Sequence, residues 1–148
     1  MKKSLSFAAY VAVLLFLQTI SQAAPLVTEQ EAALPPAPEA PPTRGIVRGP
    51  GIKVVSPVSN AAVSGPFDLK VKFEPRSGIK IDPSTVRVIY LKSPVVDLTS
   101  RIKPAITEAG IELLKTEMPA GLHEIRILVR DSDGRESQST INISIKKQ

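Results

Sequence analysis

Phe67-Asp68-Leu69-Lys70-Val71-Lys72-Phe73-Glu74 alternates apolar and charged residues without a break. A period of two places the apolar side chains on one face of an extended strand and the charged ones on the other. The stretch therefore predicts a strand buried on one side only, as in antiparallel sheets packed face to face. The same pattern recurs downstream. Ile125, Ile127 and Val129 share a face within residues 122–130, and Ile141, Ile143 and Ile145 alternate with Thr140, Asn142, Ser144 and Lys146. Shorter runs at 52–55, 85–91, 95–98 and 111–118 complete a set of seven β segments. Ser56-Pro57, Ser64-Gly65-Pro66, Asp82-Pro83-Ser84, Pro119-Ala120-Gly121 and Asp131-Ser132-Asp133-Gly134 punctuate them as turns. Residues 99–105 have room for one helical turn. Short strands at this spacing predict an all-β domain of two packed sheets over residues 51–148.

The composition changes upstream of that domain. Seven of the 27 residues from 24 to 50 are proline, with no aromatic side chain among them. Such a stretch buries too little apolar area to offset its ordering and favours extended polyproline segments. Residues 24–50 read as a disordered Pro-rich linker, or as an arm that docks on a partner's groove. Further upstream, Lys2 and Lys3 precede an apolar run from Leu5 to Leu17 and a polar stretch that ends in small residues. This is the layout of a secretory signal peptide over residues 1–23, with cleavage after Ala23. The run is shorter than the roughly 20 residues that span a bilayer. No stable membrane anchor is expected after cleavage, and the expected location is periplasmic or secreted.

The order of five short motifs carries a resemblance. Ser56-Pro57, Gly65 to Leu69, Ile81 to Val86, Pro119 to Ile125 and Val129 to Arg135 resemble the bacterial immunoglobulin-like domains of exported and surface proteins. The likeness covers about the last hundred residues. It implies a seven-stranded immunoglobulin-like β-sandwich, of the immunoglobulin/fibronectin III kind, and a non-catalytic role in adhesion, spacing or protein contact. The early Ser-Pro turn and the alternating strand are also similar to small copper carriers of the CopC type. That resemblance does not extend to the metal site, because His123 has no partner histidine and Met118 is the only methionine after position 23.

Composition narrows the chemistry further. The 148 residues include no Cys and one His, which leaves no thiolate or multi-histidine metal site. No cofactor is expected. His123 shares parity with Ile125, Ile127 and Val129, so it is expected to point into the core and hydrogen-bond a carbonyl. Asp131, Asp133 and Gly134 could open a calcium loop, but position 142 holds Asn where a bidentate Glu would be needed, and a hairpin turn accounts for the same residues. Glu112, Glu117 and Glu124 cannot be set at acid–base spacing from sequence alone. Interspersed charge on an exported domain argues against nucleic acid.

Strand parity identifies a candidate surface. With Val86, Val88 and Tyr90 inward, Arg87, Ile89 and Leu91 face outward, as do Arg126, Leu128 and Arg130. In an immunoglobulin-type sandwich these two strands are neighbours. Ile89, Leu91 and Leu128 would then form an apolar strip flanked by arginines, the composition favoured at contact sites. Residues 92–109, or Ile46 and Val47 of the linker, could instead cover it. The expected partner is an envelope or extracellular protein, met through this face or the linker. The alternative is an anionic cell-envelope glycan or lipopolysaccharide held by basic residues, since residues 51–148 carry 15 Lys/Arg against 11 Asp/Glu.

Overall fold

The computed structural model describes residues 25–38, 48–58 and 61–147. The expected signal peptide, its cleavage point at Ala23, and Ile46 and Val47 lie outside the described residues. Among the described residues nine strands form: β1 (Gly51–Ser56), β2 (Ala62–Val63), β3 (Phe67–Glu74), β4 (Ile81–Tyr90), β5 (Val96–Asp97), β6 (Ile106–Thr107), β7 (Gly110–Thr116), β8 (Gly121–Asp131) and β9 (Glu136–Ile145). They build two sheets, ordered β1-β3-β7-β6 and β2-β9-β8-β4-β5. Pairing is antiparallel except between β2 and β9. Lettered in the immunoglobulin convention, this is A-B-E-D packed on G-F-C, with β2 and β5 as short additions at the two edges of the second sheet. The fold is an immunoglobulin-like β-sandwich.

Alternation decides which side chains meet between the sheets. Phe67, Leu69, Val71 and Phe73 of β3 face Val86, Val88 and Tyr90 of β4, Ile125, Ile127 and Val129 of β8, and Ile141, Ile143 and Ile145 of β9 in one buried cluster. Gly110 shows how closely the strands approach: a Cβ there would lie 1.9 Å from the Val71 carbonyl oxygen, and its φ of 150° is open to glycine alone. At the same end of the sandwich, Asp131 closes the β8–β9 hairpin. Its buried carboxylate accepts the backbone N–H groups of Asp133 (3.1 Å) and Arg135 (2.9 Å), and Gly134 takes the left-handed conformation at φ 77°. These residues are the hairpin turn.

Three expectations change. Seven principal strands are present, but residues 95–98 contribute only the edge strand β5, while β6 supplies the fourth strand of the first sheet. Neither β2 nor β6 was expected, because two residues carry no period. Asp82-Pro83-Ser84 is no interruption: Asp82 Oδ1 accepts the Ser84 N–H (2.9 Å) and hydroxyl (2.6 Å), and the pairing register with β8 shifts between Asp82 and Arg87. The turn chemistry is there, but the strand absorbs it as an irregularity. The helical turn is also present, as α2 (Thr99–Ile102) followed by a 3-10 turn at Lys103–Ala105.

The third change concerns the Pro-rich segment. Residues 25–38 are not a free spacer but pack on the sandwich. Leu26 and Val27 are buried in the core, Val27 fully. The Leu26 N–H donates to the Glu117 carbonyl at 3.1 Å beside the first sheet. Thr28 then caps a single turn, α1 (Glu29–Ala32), in a reciprocal capping box with Glu31. Beyond it, Ala37 donates to Leu91 O (3.2 Å) and Ser93 donates to Pro35 O (2.8 Å), alongside the second sheet. The arm therefore ties the two sheets together at one end. Prolines set its extended path without preventing two aliphatic side chains from entering the core.

Candidate functional site

The six residues expected on one face are brought together. In the β4–β8 ladder Arg87 stands opposite Leu128, and Ile89 opposite Arg126. Ile89, Arg126 and Leu128 are half-buried, and Arg87 and Arg130 are exposed. Leu91 lies just past the end of β4, where its N–H donates to the Glu124 carbonyl at 2.9 Å, and it too is half-buried. The apolar strip exists and runs obliquely across the outer face of the second sheet. β5 touches only its edge, through the Ile89–Asp97 and Tyr90–Val96 pairs.

Charge on this face is largely compensated. Arg87 pairs with Asp97 at 3.0 Å, and Arg130 pairs with Glu136 of β9 at 2.8 Å. The hydroxyl and backbone N–H of Thr99, followed by the Arg87 guanidinium, hold the Asp97 carboxyl below its usual range. A shallow depression of about 410 Å³, with Leu128 in its lining, lies between the two ion pairs. Arg126 makes no hydrogen bond or ion pair with the described residues.

Sequence reasoning missed one end of the strip. Leu122 is 78% exposed, the most open of the large apolar side chains described. With Leu91, Pro36, Lys92, Glu124 and Asn142 it lines an open groove of about 600 Å³. Leu122 shares the outward parity of Leu128, so the signal was in the strand; Pro36 arrives from the docked arm, which no periodicity could place.

Beneath this groove His123 is buried, as its parity required. Its Nε2 lies 2.7 Å from the Pro119 carbonyl oxygen, and its Nδ1 lies 2.9 Å from the Tyr90 hydroxyl. A carbonyl can only accept, so Nε2 carries the proton; Nδ1 of the neutral ring then accepts from Tyr90. Burial pushes the imidazole pKa down, and burial pushes that of the phenol up, so both groups stay neutral. Both ring nitrogens are engaged. This chain fixes the turn before β8 to β4 and leaves His123 no free nitrogen to act as ligand or base.

The remaining charged candidates do not converge. Glu112 on β7 pairs with Lys70 at 2.9 Å on the first sheet, whereas Glu124 lies on the second. Among the described residues no group of three His, Asp or Glu could hold a metal ion. The best-built polar contact belongs to the arm. Arg101 of α2 grips the Glu31 carboxylate in a two-pronged pair (2.8 and 2.5 Å) and donates to the Leu26 carbonyl (2.8 Å), while Lys92 donates to the Ala32 carbonyl (2.9 Å). The hydrogen bond from Arg101 draws the Glu31 pKa down to about 2.

No protein-family model matches the chain, and no curated protein matches it in sequence. Among solved structures it is similar to CopC from Methylosinus trichosporium OB3b, at 16% identity over 65% of this chain and 94% of that one, with a TM-score of 0.44. It is similar to the fibronectin(III)-like modules of Clostridium thermocellum CbhA, at 13% identity over 65% and 96% of the two chains and a TM-score of 0.40. A third likeness is to the endo-beta-1,4-mannanase from Thermotoga petrophila, at 14% identity and a TM-score of 0.45; it covers 72% of this chain but 22% of the mannanase. The chain thus spans about a fifth of that enzyme. What fixes the architecture is the strand order itself.

Proposed function

We propose that this chain is an exported, non-catalytic interaction module that binds an envelope or extracellular protein through the outer face of its second sheet. The observation that carries this reading is the oblique apolar strip of Ile89, Leu91, Leu122 and Leu128, which ends in an open groove and has beside it Arg126, unpaired among the described residues. Partly exposed aliphatic side chains with an arginine at their edge match the composition of protein contact surfaces. Export is supported by the lysines and the apolar run at the start of the sequence. A glycan or lipopolysaccharide partner is less well supported, because Asp97 and Glu136 already neutralise Arg87 and Arg130.

The test replaces Leu91→Glu together with Leu128→Glu. Both side chains are half-buried on the outer face, so the expected result is a folded domain, checked by circular dichroism, that no longer captures its partner from envelope extract. Undiminished capture by the folded double variant would overturn the reading. Retention that survives the double variant but is lost in moderate salt would point to the anionic polymer instead.

A further inference from the structure

The buried Tyr90–His123 pair lies where the arm is tied down. The Lys92 ammonium donates to the Ala32 carbonyl of the arm at 2.9 Å and stands 5.4 Å from the centre of the Tyr90 ring. The Tyr90 hydroxyl donates to His123 Nδ1 at 2.9 Å, and His123 Nε2 donates to the Pro119 carbonyl at 2.7 Å. One line of polar contacts thus runs from the arm through Lys92, Tyr90 and His123 to the turn before β8. The arm also encloses it. Pro36 and His123 line the same groove, and with that wall in place His123 is 2% exposed.

This line fits only a neutral imidazole. A protonated ring donates from both nitrogens. The phenol would then have to turn and accept, and its own proton would lose the acceptor it has now. The new charge would also sit in a site closed to water and within the field of the Lys92 ammonium. No carboxylate among the described residues is bonded to the ring, whose partners are Tyr90 and Pro119. Of the acidic groups on the surrounding elements, Glu31 of the arm is committed to Arg101, while Glu117 of the turn and Glu124 of β8 are exposed. The basic ones are Lys92 after β4, Arg101 on α2 in its pair with Glu31, and Lys146 after β9. β9 itself sets the uncharged Ile143 opposite His123, and the inward side chains of β3 carry no charge.

We propose that the Lys92–Tyr90–His123 line is an acid-operated latch: a proton taken up by His123 releases the arm, residues 25–38, and removes the Pro36 wall of the groove. The direction follows from linkage. Burial, aided by the Lys92 charge, holds the imidazole pKa below its ordinary 6.5 while the arm is docked. Undocking opens the ring to water and returns it toward that value, so the open form binds the proton more tightly. The docked arm therefore keeps its full stability above pH 6.5 and loses it as the pH falls below. This window lies above that of Glu31, whose pKa is lowered from 4.5. The latch does not depend on what the outer face of the second sheet binds.

His123 is the only imidazole in the chain, so its ring resonance reports its charge in the unmodified protein. The test follows that resonance by nuclear magnetic resonance between about pH 7.5 and 5, together with amide protection at Leu26, Ala37 and Ile127. Exchange rates are divided by those of the unfolded chain at each pH. Protection at Leu26 and Ala37 should fall about fivefold, within the roughly tenfold per pH unit that one proton can drive. The fall should share its midpoint with the titration of His123, while protection at Ile127 holds. His123→Gln, whose amide can meet the same two partners without taking a charge, should make arm protection independent of pH over this range. If that variant does not fold, the titration of the unmodified chain still decides. A His123 that titrates under level arm protection, an arm that opens over a neutral His123, no change in either, or equal loss at Ile127 would each overturn the proposal.

Discussion

The β8–β9 hairpin and the N-terminal arm join the same core by opposite means. The hairpin offers ten consecutive residue pairs and a buried row of Ile125, Ile127, Val129, Ile141, Ile143 and Ile145. The arm, residues 25–38, contributes Leu26 and Val27 and is otherwise held by individual polar contacts from Arg101, Lys92 and Leu91. A regular strand spreads its anchoring over many equivalent bonds, whereas a proline-rich segment concentrates it in a few. The two should therefore unfold differently: the hairpin only with the whole domain, the arm by itself.

The largest expected effect tests the hairpin. Ile127 is fully buried, and Ile127→Ala should lower global stability by about 2–5 kcal/mol, read as a shift in the urea midpoint with an unchanged slope. A smaller effect tests the arm. Leu26→Ala should cost about 2 kcal/mol, expressed as local opening: hydrogen exchange at the Leu26 and Ala37 amides should speed up about thirtyfold while exchange at Ile127 holds. Equal acceleration at both places would show that the arm and the hairpin are one cooperative unit. The smallest effect is one of pH. The Glu31 pKa is lowered from 4.5 to about 2, so its pair with Arg101 stabilises the docked arm above pH 4.5 and is lost as the pH falls from 4.5 toward 2. Both side chains are partly open to solvent, which limits the gain to about 1 kcal/mol or less. Glu31→Gln should flatten the acid dependence of exchange in the arm and leave that of the hairpin unaltered.

The same contrast explains what could be read in the sequence. Strands whose one face is buried announce themselves, so β3, β4, β8 and β9 were legible, and with them the inward His123 and the outward row of Arg87, Ile89, Arg126, Leu128 and Arg130. β2 and β6 were not, since pairs of residues such as Ala62-Val63 and Ile106-Thr107 owe their extended form to a neighbouring strand. Nor was the arm. Its proline content signalled an extended chain correctly, but burial of Leu26 and Val27 depends on a site built from residues 70 or more positions away, with Arg101 at its centre. The groove at Leu122 was half legible, because one wall is a strand and the other is Pro36 of that arm.

Tyr90 carries a practical consequence. The chain has no tryptophan and only one other tyrosine, Tyr10, which lies in the apolar run at the start of the sequence. Within residues 24–148 all tyrosine emission comes from a single phenol, buried between the sheets and hydrogen-bonded to an imidazole. The domain thus contains its own optical probe at the place where the β4 strand, the turn before β8 and the Lys92 side chain meet. Its signal separates the opening of the interior from events on the outer face without any label.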